Sequence, residues 1–137
     1  MAGFVLDASL TLAWCFEDEG TDEAWALFIP VMRHGAAVPG HWRLEVSNAL
    51  AAGERRRRLQ PERVGSFLAA LDRMPVEVDA ATSQRAFGPI LDRARRDRLS
   101  AYDAAYLDLA VRVGVPLATL DRGLRGAAIA AGVDVVP

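Results

Sequence analysis

Lysine is absent from this chain of 137 residues, and all 16 basic residues are arginine. A Walker phosphate loop, a Schiff-base enzyme, a response-regulator receiver and a haloacid-dehalogenase-type phosphatase each require a lysine. The sequence therefore excludes these four mechanisms. A net charge of −2 also argues against a globally basic nucleic-acid binder, although it is compatible with local arginine patches.

Cysteine, histidine and long apolar runs are equally scarce. Cys15 is the only cysteine, which excludes an intrachain disulfide and a thiolate metal cluster and is typical of a buried small residue. His34 and His41 are too few and too poorly spaced for a histidine metal site. No apolar run approaches the roughly 18 residues of a membrane span, and the N-terminus lacks the pattern of a signal peptide. We therefore expect a cytoplasmic protein without membrane segments, folded as a single domain over residues 1–137.

Short apolar segments alternate with amphipathic helical segments along the chain. The predicted strands are residues 4–6, 36–39, 76–78, 117–120 and 133–136. Ser9, Thr21 and Ser100 are placed to cap helices, Pro30 predicts a kink, and Gly88-Pro89 predicts a break. Strands and helices that alternate with short connections predict an α/β fold, with a parallel sheet covered by helices on both faces.

Four acidic residues are expected to meet at one edge of this sheet. Asp7 and Asp121 directly follow apolar strands, and Glu45 and Asp103 lie near the start of helices that begin at the same edge. Four carboxylates in one place repel one another, and a hard divalent cation is the usual remedy. Oxygen ligands without histidine or cysteine favour Mg²⁺ or Mn²⁺ over zinc, and these ions suit phosphoryl chemistry.

Each acid also has a purely structural interpretation. Glu45 lies in the apolar stripe of its helix, where it is costly unless paired, but it is also near the positive N-terminus. Ser100 and Asp103 have the spacing of a capping box, and Asp121 is placed as a helix N-cap. These alternatives are not independent, because all four residues are expected at the same edge of the sheet.

Polar residues accompany the acids. Ser9 and Thr119 each lie two residues from a strand-end acid, close enough to orient it, although Ser9 equally suits helix capping. Asn48 points the same way as Glu45 from about one helical turn further on, and is expected to hydrogen-bond it.

Four motifs together resemble a PIN domain, and among PIN domains they resemble the VapC-type toxins of bacterial toxin–antitoxin pairs. They are VLDAS, HWRLEVSNAL, LSAYDAAYLDLA and ATLDRGL, and they span essentially the whole chain. The resemblance implies a parallel sheet of order 3-2-1-4-5 and a Mg²⁺- or Mn²⁺-dependent endoribonuclease. It also implies that Asp7, Glu45, Asp103 and Asp121 are the metal-binding catalytic acids, with Ser9, Asn48 and Thr119 in support. Arg98 departs from the family pattern, because similar sequences often have glycine before Leu99-Ser100.

The resemblance implies that metal-activated water cleaves RNA phosphodiester bonds and that a cognate VapB-like antitoxin neutralises the activity. A structure-specific DNA nuclease and a catalytically silent PIN-like binding module are the alternatives, because the same acids serve either nucleic acid and each acid can also act as a cap. Core packing is the first explanation for Trp14, Trp25 and Phe28, and a groove for the antitoxin or a homodimer face is the second.

Arginines cluster in two places, and either cluster could guide RNA towards the acids or simply form a solvated face. The first cluster is Arg55, Arg56, Arg57 and Arg58, and the second is Arg93, Arg95, Arg96 and Arg98. Asp108 and Arg112, four residues apart on one helix, predict an exposed ion pair.

Overall fold

Five short strands form a parallel sheet in the computed structural model, which describes residues 1–137. The strands are β1 (Phe4–Leu6), β2 (Ala36–Val38), β3 (Val76–Val78), β4 (Leu117–Ala118) and β5 (Val135–Val136). Their order is β3-β2-β1-β4-β5, and all four pairings are parallel. The predicted α/β fold and strand order are therefore confirmed.

Nine α-helices surround the sheet. They are α1 (Ala8–Ala13), α2 (Asp22–Ala26), α3 (Phe28–His34), α4 (Trp42–Arg55), α5 (Pro61–Leu71), α6 (Thr82–Arg85), α7 (Leu91–Asp97), α8 (Ala101–Val113) and α9 (Arg122–Ala130). A short 3₁₀ helix at Glu17–Glu19 and a π-helical turn at Ala86–Ile90 complete the elements. None of the helices combines the length and apolar content that a membrane crossing requires.

The central strand and one central helix carry most of the core. Val5 and Leu6 of β1 are fully buried, as expected for a strand covered on both faces. Every residue of α8 from Ala104 to Ala110 is buried, and the helix contacts β1, β2 and β4. The helix is apolar on nearly every side because it is buried on nearly every side.

The directions of these elements bring their termini together. Helices α1, α4 and α9 follow β1, β2 and β4 and therefore begin at the carboxyl edge of the sheet. Helix α8 precedes β4 and packs along the strands, so its first turn lies at this same edge. An acid in the first turn of any of these helices is therefore close to the strand ends.

Two predicted features of the helices are corrected. Ser9 does not cap a helix, because α1 already begins at Ala8 with Asp7 in the N-cap position. The break between α2 and α3 falls at Leu27 and not at Pro30. Pro30 is in the first turn of α3, where a missing backbone N–H breaks no helical hydrogen bond.

Other predicted termini are confirmed. The Thr21 and Ser100 hydroxyls accept hydrogen bonds from the amides of Ala24 and Asp103 and so cap α2 and α8. The predicted break at Gly88-Pro89 is the π-helical turn, whose wider backbone accommodates a proline without an N–H.

Arg98 ends α7 in a left-handed backbone conformation, with φ 55° and ψ 42°. Glycine adopts this conformation without the steric cost that a Cβ adds. The structure thus explains why glycine suits this position, and it shows that arginine keeps the same local backbone shape.

The N-terminal aromatic residues divide between core and surface. Trp14 is buried, donates a hydrogen bond to the Ala24 carbonyl and packs edge-on against Phe28, with ring centroids 5.2 Å apart. Trp25 remains 45% exposed and leans on the other side of Phe28. Core packing therefore accounts for Trp14, whereas Trp25 borders a surface cleft of about 160 Å³.

Candidate active site

Asp7 lies at the end of the central strand and is only 2% exposed. Its Oδ2 accepts hydrogen bonds of 2.6 Å from both the Ser9 hydroxyl and the Thr119 hydroxyl. Burial raises the pKa of Asp7 above its ordinary value, and the two hydroxyls oppose that increase because they stabilise the charged form. The negative charge of Glu45 raises this pKa further.

Ser9 and Thr119 hold the ends of β1 and β4 together through this carboxylate. The Ser9 hydroxyl oxygen accepts a hydrogen bond of 3.0 Å from the Leu120 amide, and the Thr119 oxygen accepts one of 3.0 Å from the Asp121 amide. Since an ionised carboxylate can only accept, each hydroxyl donates its proton to Asp7 while its oxygen accepts from a backbone amide. The two hydroxyls therefore fix the orientation of the Asp7 carboxylate.

Asp103 is in the first turn of α8, and its carboxylate accepts no hydrogen bond from the protein. Its amide donates to the Ser100 hydroxyl at 3.1 Å, so only one half of the expected capping box forms. Burial raises the pKa of Asp103 to about 6, and the charges of Asp7, Asp121 and Glu45 contribute to the increase. Capping therefore does not explain this carboxylate.

Glu45 is held by aromatic partners that the sequence interpretation did not identify. Tyr106 donates a hydrogen bond of 3.1 Å to Oε1 of Glu45, and Nε2 of His41 lies 3.2 Å from the same oxygen without the geometry of a hydrogen bond. Burial and the charge of Glu45 raise the pKa of Tyr106, so its hydroxyl stays neutral and donates. Asn48 is exposed and makes no hydrogen bond to Glu45, which corrects the contact expected from helical spacing.

The helical periodicity contains a signal for both aromatic partners. His41 precedes Glu45 by four residues, and Tyr106 follows Asp103 by three, so each lies on the acid-bearing face of its helix. Spacing alone does not separate a partner of Glu45 from an ordinary core aromatic residue.

Asp121 acts as the N-cap of α9. Its Oδ2 accepts a hydrogen bond of 2.8 Å from the Leu124 amide, which confirms the capping interpretation for this residue. Because only one carboxylate oxygen is used, capping leaves the other oxygen able to act as a ligand. Its charge still reaches Asp103, whose pKa it helps to raise.

The four acids share one electrostatic environment that contains no protein cation other than a potentially charged His41. No arginine forms an ion pair with Asp7, Glu45, Asp103 or Asp121. The side chains do not close into a ready-made group of three metal ligands, because hydrogen bonds hold three of the carboxylates individually. As a donor set, four mutually repelling oxygen ligands fit a hard divalent cation.

The predicted pair between Asp108 and Arg112 is present, but its acid is buried and only its arginine reaches the surface. Asp108 is 5% exposed and accepts hydrogen bonds from both Arg85 and Arg112. Arg112 also binds Asp79 at 2.6 Å, so the pair belongs to a network of two acids and two arginines. The pattern of two charges four residues apart does not reveal Arg85, which approaches from another helix.

The two arginine clusters lie in different places. Arg55 ends α4 and Glu45 is in its first turn, so they are roughly 15 Å apart along the helix axis. Arg58 pairs with Asp18 and Glu19 and covers the ring of Phe16. The second cluster, which includes exposed Arg95 and Arg96, ends α7 and is joined to the Asp103 helix by residues 98–100 alone.

Comparison with known proteins agrees with this geometry. The PIN domain family model matches residues 4–130. The crystal structure of PAE2754 from Pyrobaculum aerophilum is 24% identical in sequence and superposes with a TM-score of 0.69, covering 98% of this chain and 84% of that one. This second likeness concerns the fold. No curated protein matches the sequence significantly.

PIN domains are generally nucleases that use divalent metal ions and bind nucleic acids. The matched residues include the three strand and helix termini that carry Asp7, Glu45 and Asp103, and the N-cap Asp121. The chain belongs to the PIN domain family.

Proposed function

We propose that this chain is a Mg²⁺- or Mn²⁺-dependent endoribonuclease of the VapC type, folded as a single domain over residues 1–137. One observation carries the proposal. The Asp103 carboxylate is half-buried beside three other acids, accepts no hydrogen bond and is paired with no arginine. A site that only stabilised the fold would have this charge paired, since an uncompensated carboxylate disfavours folding.

The proposed catalytic residues are Asp7, Glu45, Asp103 and Asp121. A divalent ion held by them would neutralise charge on the phosphate and activate the attacking water. Ser9 and Thr119 fix the orientation of the Asp7 carboxylate, and Tyr106 does the same for Glu45. Asn48, which is exposed on α4 one turn from Glu45, remains a candidate for a contact with substrate.

Arginine is proposed to bring the RNA backbone to this acidic site. The second cluster supports this role better than Arg55, Arg56, Arg57 and Arg58, because it adjoins the helix that carries Asp103. Reversing the charge of Arg95 and Arg96 should lower RNA affinity and flatten its dependence on salt by about 0.7 per lost phosphate contact. The same reversal at Arg55 and Arg56 is the matched control, and equal effects of both would contradict this assignment.

A cognate VapB-like antitoxin, a homodimer and a cytoplasmic location complete the proposal. The exposed ring of Trp25 and its cleft offer an apolar anchor for the antitoxin, and the uncompensated acids would accept an arginine or lysine from it. Expression of this chain alone should arrest growth, and a small protein encoded directly upstream should relieve the arrest. Normal growth with active, soluble protein would contradict the toxin role.

The decisive experiment for the enzyme uses purified protein free of any antitoxin. It is incubated with tRNA, rRNA and mRNA in Mg²⁺ or Mn²⁺, with EDTA and Asp7→Ala as controls. We expect cleavage that needs the metal and Asp7, and 5′-phosphate products. Cleavage of DNA alone would favour the DNA nuclease, and absence of metal-dependent cleavage of all substrates would leave a silent binding module.

A further inference from the structure

An aromatic residue directly beside Asp103 is left largely in solvent. Tyr102 is 63% exposed, whereas residues Ala104 to Ala110 of the same helix are buried. Its ring centroid lies 5.4 Å from that of His41, with the two planes tilted by 57°. His41 in turn lies 5.3 Å from Tyr106, edge-on at 74°.

The three rings contact one another in series, from buried Tyr106 through His41 to exposed Tyr102. Tyr106 is fully buried and its hydroxyl binds Glu45, which fixes the inner end. Tyr102 and Tyr106 are four residues apart on α8, so they lie on the same side of the helix with His41 between them. The ring of Tyr102 is therefore supported from behind by His41, while much of its surface remains open to solvent.

A supported, solvent-exposed aromatic ring is the feature by which proteins bind unpaired bases. Stacking on a ring requires no base pairing and no positive charge, and it tolerates every base. Here the neighbouring acids repel the phosphate backbone, whereas an uncharged base can stack on Tyr102 without that repulsion. Contact with His41 also restricts the ring before binding, which reduces the conformational entropy lost on binding.

We propose that Tyr102, supported by His41, is a stacking subsite for one base of single-stranded RNA next to the phosphate that is cleaved. The inference rests on the proposed ribonuclease function and adds to it the residue that would hold one unpaired base. Phe87 provides the contrast within the same molecule. It is 94% exposed but packs against no other aromatic ring.

The experiment measures Kd of a fluorescent single-stranded RNA by anisotropy in Mg²⁺, in an Asp103→Asn background that prevents turnover. The RNA is a single-stranded oligouridylate, used either intact or as an abasic strand of the same length. We expect Tyr102→Ala to weaken binding of intact RNA about 10-fold. Tyr102→Phe should bind as the parent does, and so should the control Phe87→Ala.

Removal of the base should cancel the effect of Tyr102→Ala, because the ring then has nothing to stack on. In the otherwise active chain, Tyr102→Ala should raise KM and leave kcat nearly unchanged. The thermal unfolding midpoint should not move, since the side chain is exposed.

Three results would overturn the subsite: unchanged affinity in Tyr102→Ala, an equal loss on base-free RNA, or an equal loss in Phe87→Ala. Failure of the proposed function is distinguishable from all three. If the protein cleaves RNA and Tyr102→Ala has no effect, only the subsite is wrong. If Tyr102→Ala weakens binding but the protein cleaves no RNA, the subsite stands and the ribonuclease proposal is wrong. If Tyr102→Ala has no effect and the protein cleaves no RNA, both are wrong.

Discussion

Two groups of buried carboxylates in this protein have opposite electrostatics. Asp7 is 2% exposed and Asp108 is 5% exposed, so both are removed from water to a similar degree. The pKa of Asp7 is raised because burial outweighs its two hydroxyl partners. The pKa of Asp108 is lowered, because the hydrogen bonds and charges of Arg85 and Arg112 outweigh the effect of its burial.

The comparison shows that arginine partners distinguish two kinds of buried acid here, one with a lowered pKa and one with a raised pKa. Helix α8 carries both kinds, since Asp103 lies in its first turn and Asp108 further along the same helix. The chain has 16 arginines, yet none pairs with Asp7, Glu45, Asp103 or Asp121. The lack of arginine partners is therefore a property of these four acids and not of the whole sheet edge, because Asp79 follows β3 and pairs with Arg112.

The largest expected effect is on activity, from Asp103→Asn. We expect RNA cleavage to fall by about 100-fold or more, because the charge stabilisation that a bound divalent ion supplies amounts to several kcal/mol. The thermal unfolding midpoint in EDTA should stay the same or rise, since the substitution removes repulsion from Asp7, Asp121 and Glu45. Undiminished cleavage with a lower midpoint would instead make Asp103 a structural acid.

The reciprocal effect is on stability, from Asp108→Asn. This substitution weakens the charged hydrogen bonds of Arg85 and Arg112, and we expect the free energy of unfolding to fall by about 1–2 kcal/mol, because both arginines are partly exposed and Arg112 keeps Asp79. Urea denaturation measures this loss, and cleavage per folded molecule should be unchanged. If Asp108→Asn abolished cleavage while the fold stayed intact, the separation between the two groups of acids would be wrong.

The smallest effect is the pH dependence of stability without metal. The folded chain holds the Asp103 proton up to a pKa of about 6, whereas the unfolded chain releases it near the ordinary value of 3.8. Its contribution to stability is therefore complete below pH 3.8 and lost as the pH rises through about 6. Asp79 and Asp108 have lowered pKa values, so their contribution is present above pH 3.8 and lost as the pH falls further.

Urea unfolding in EDTA, compared between the original chain and Asp103→Asn, isolates this term. As the pH rises from about 4 to 6, the unfolding free energy of the original chain should fall relative to that of Asp103→Asn, and above that range the difference should stay constant. Parallel curves across that range would show that Asp103 is not repelled by its neighbours.

Much of the scaffold was predictable because it follows from local chemistry. Apolar strands ending in Asp7 and Asp121, and helices capped by Thr21 and Ser100, are patterns within a few residues. The break at Gly88-Pro89 follows from a missing N–H. The order 3-2-1-4-5 came from the family resemblance, because strand order is not a local property.

The errors in the sequence interpretation concern side chains whose partners are distant in the chain. Ser9 was read as a cap or an orienting residue, and only contact with Thr119 and Asp7 assigns its hydroxyl. Asn48 was expected to bind Glu45, but Tyr106 approaches from another helix and holds it instead. The pair of Asp108 and Arg112, which was expected to be exposed, proved to be part of a half-buried network completed by Arg85.

The pKa values of Asp103 and Asp108 are shifted in opposite directions, and this difference was also not predictable from the sequence. The sequence alone determined that both acids lie on one helix and that Asp103 is near its start. Only the tertiary structure added Arg85 to Asp108 and left the Asp103 carboxylate without an arginine partner. The reason is physical: a carboxylate's pKa depends on charges within several ångströms in space, and the fold, not the spacing of residues, sets those distances.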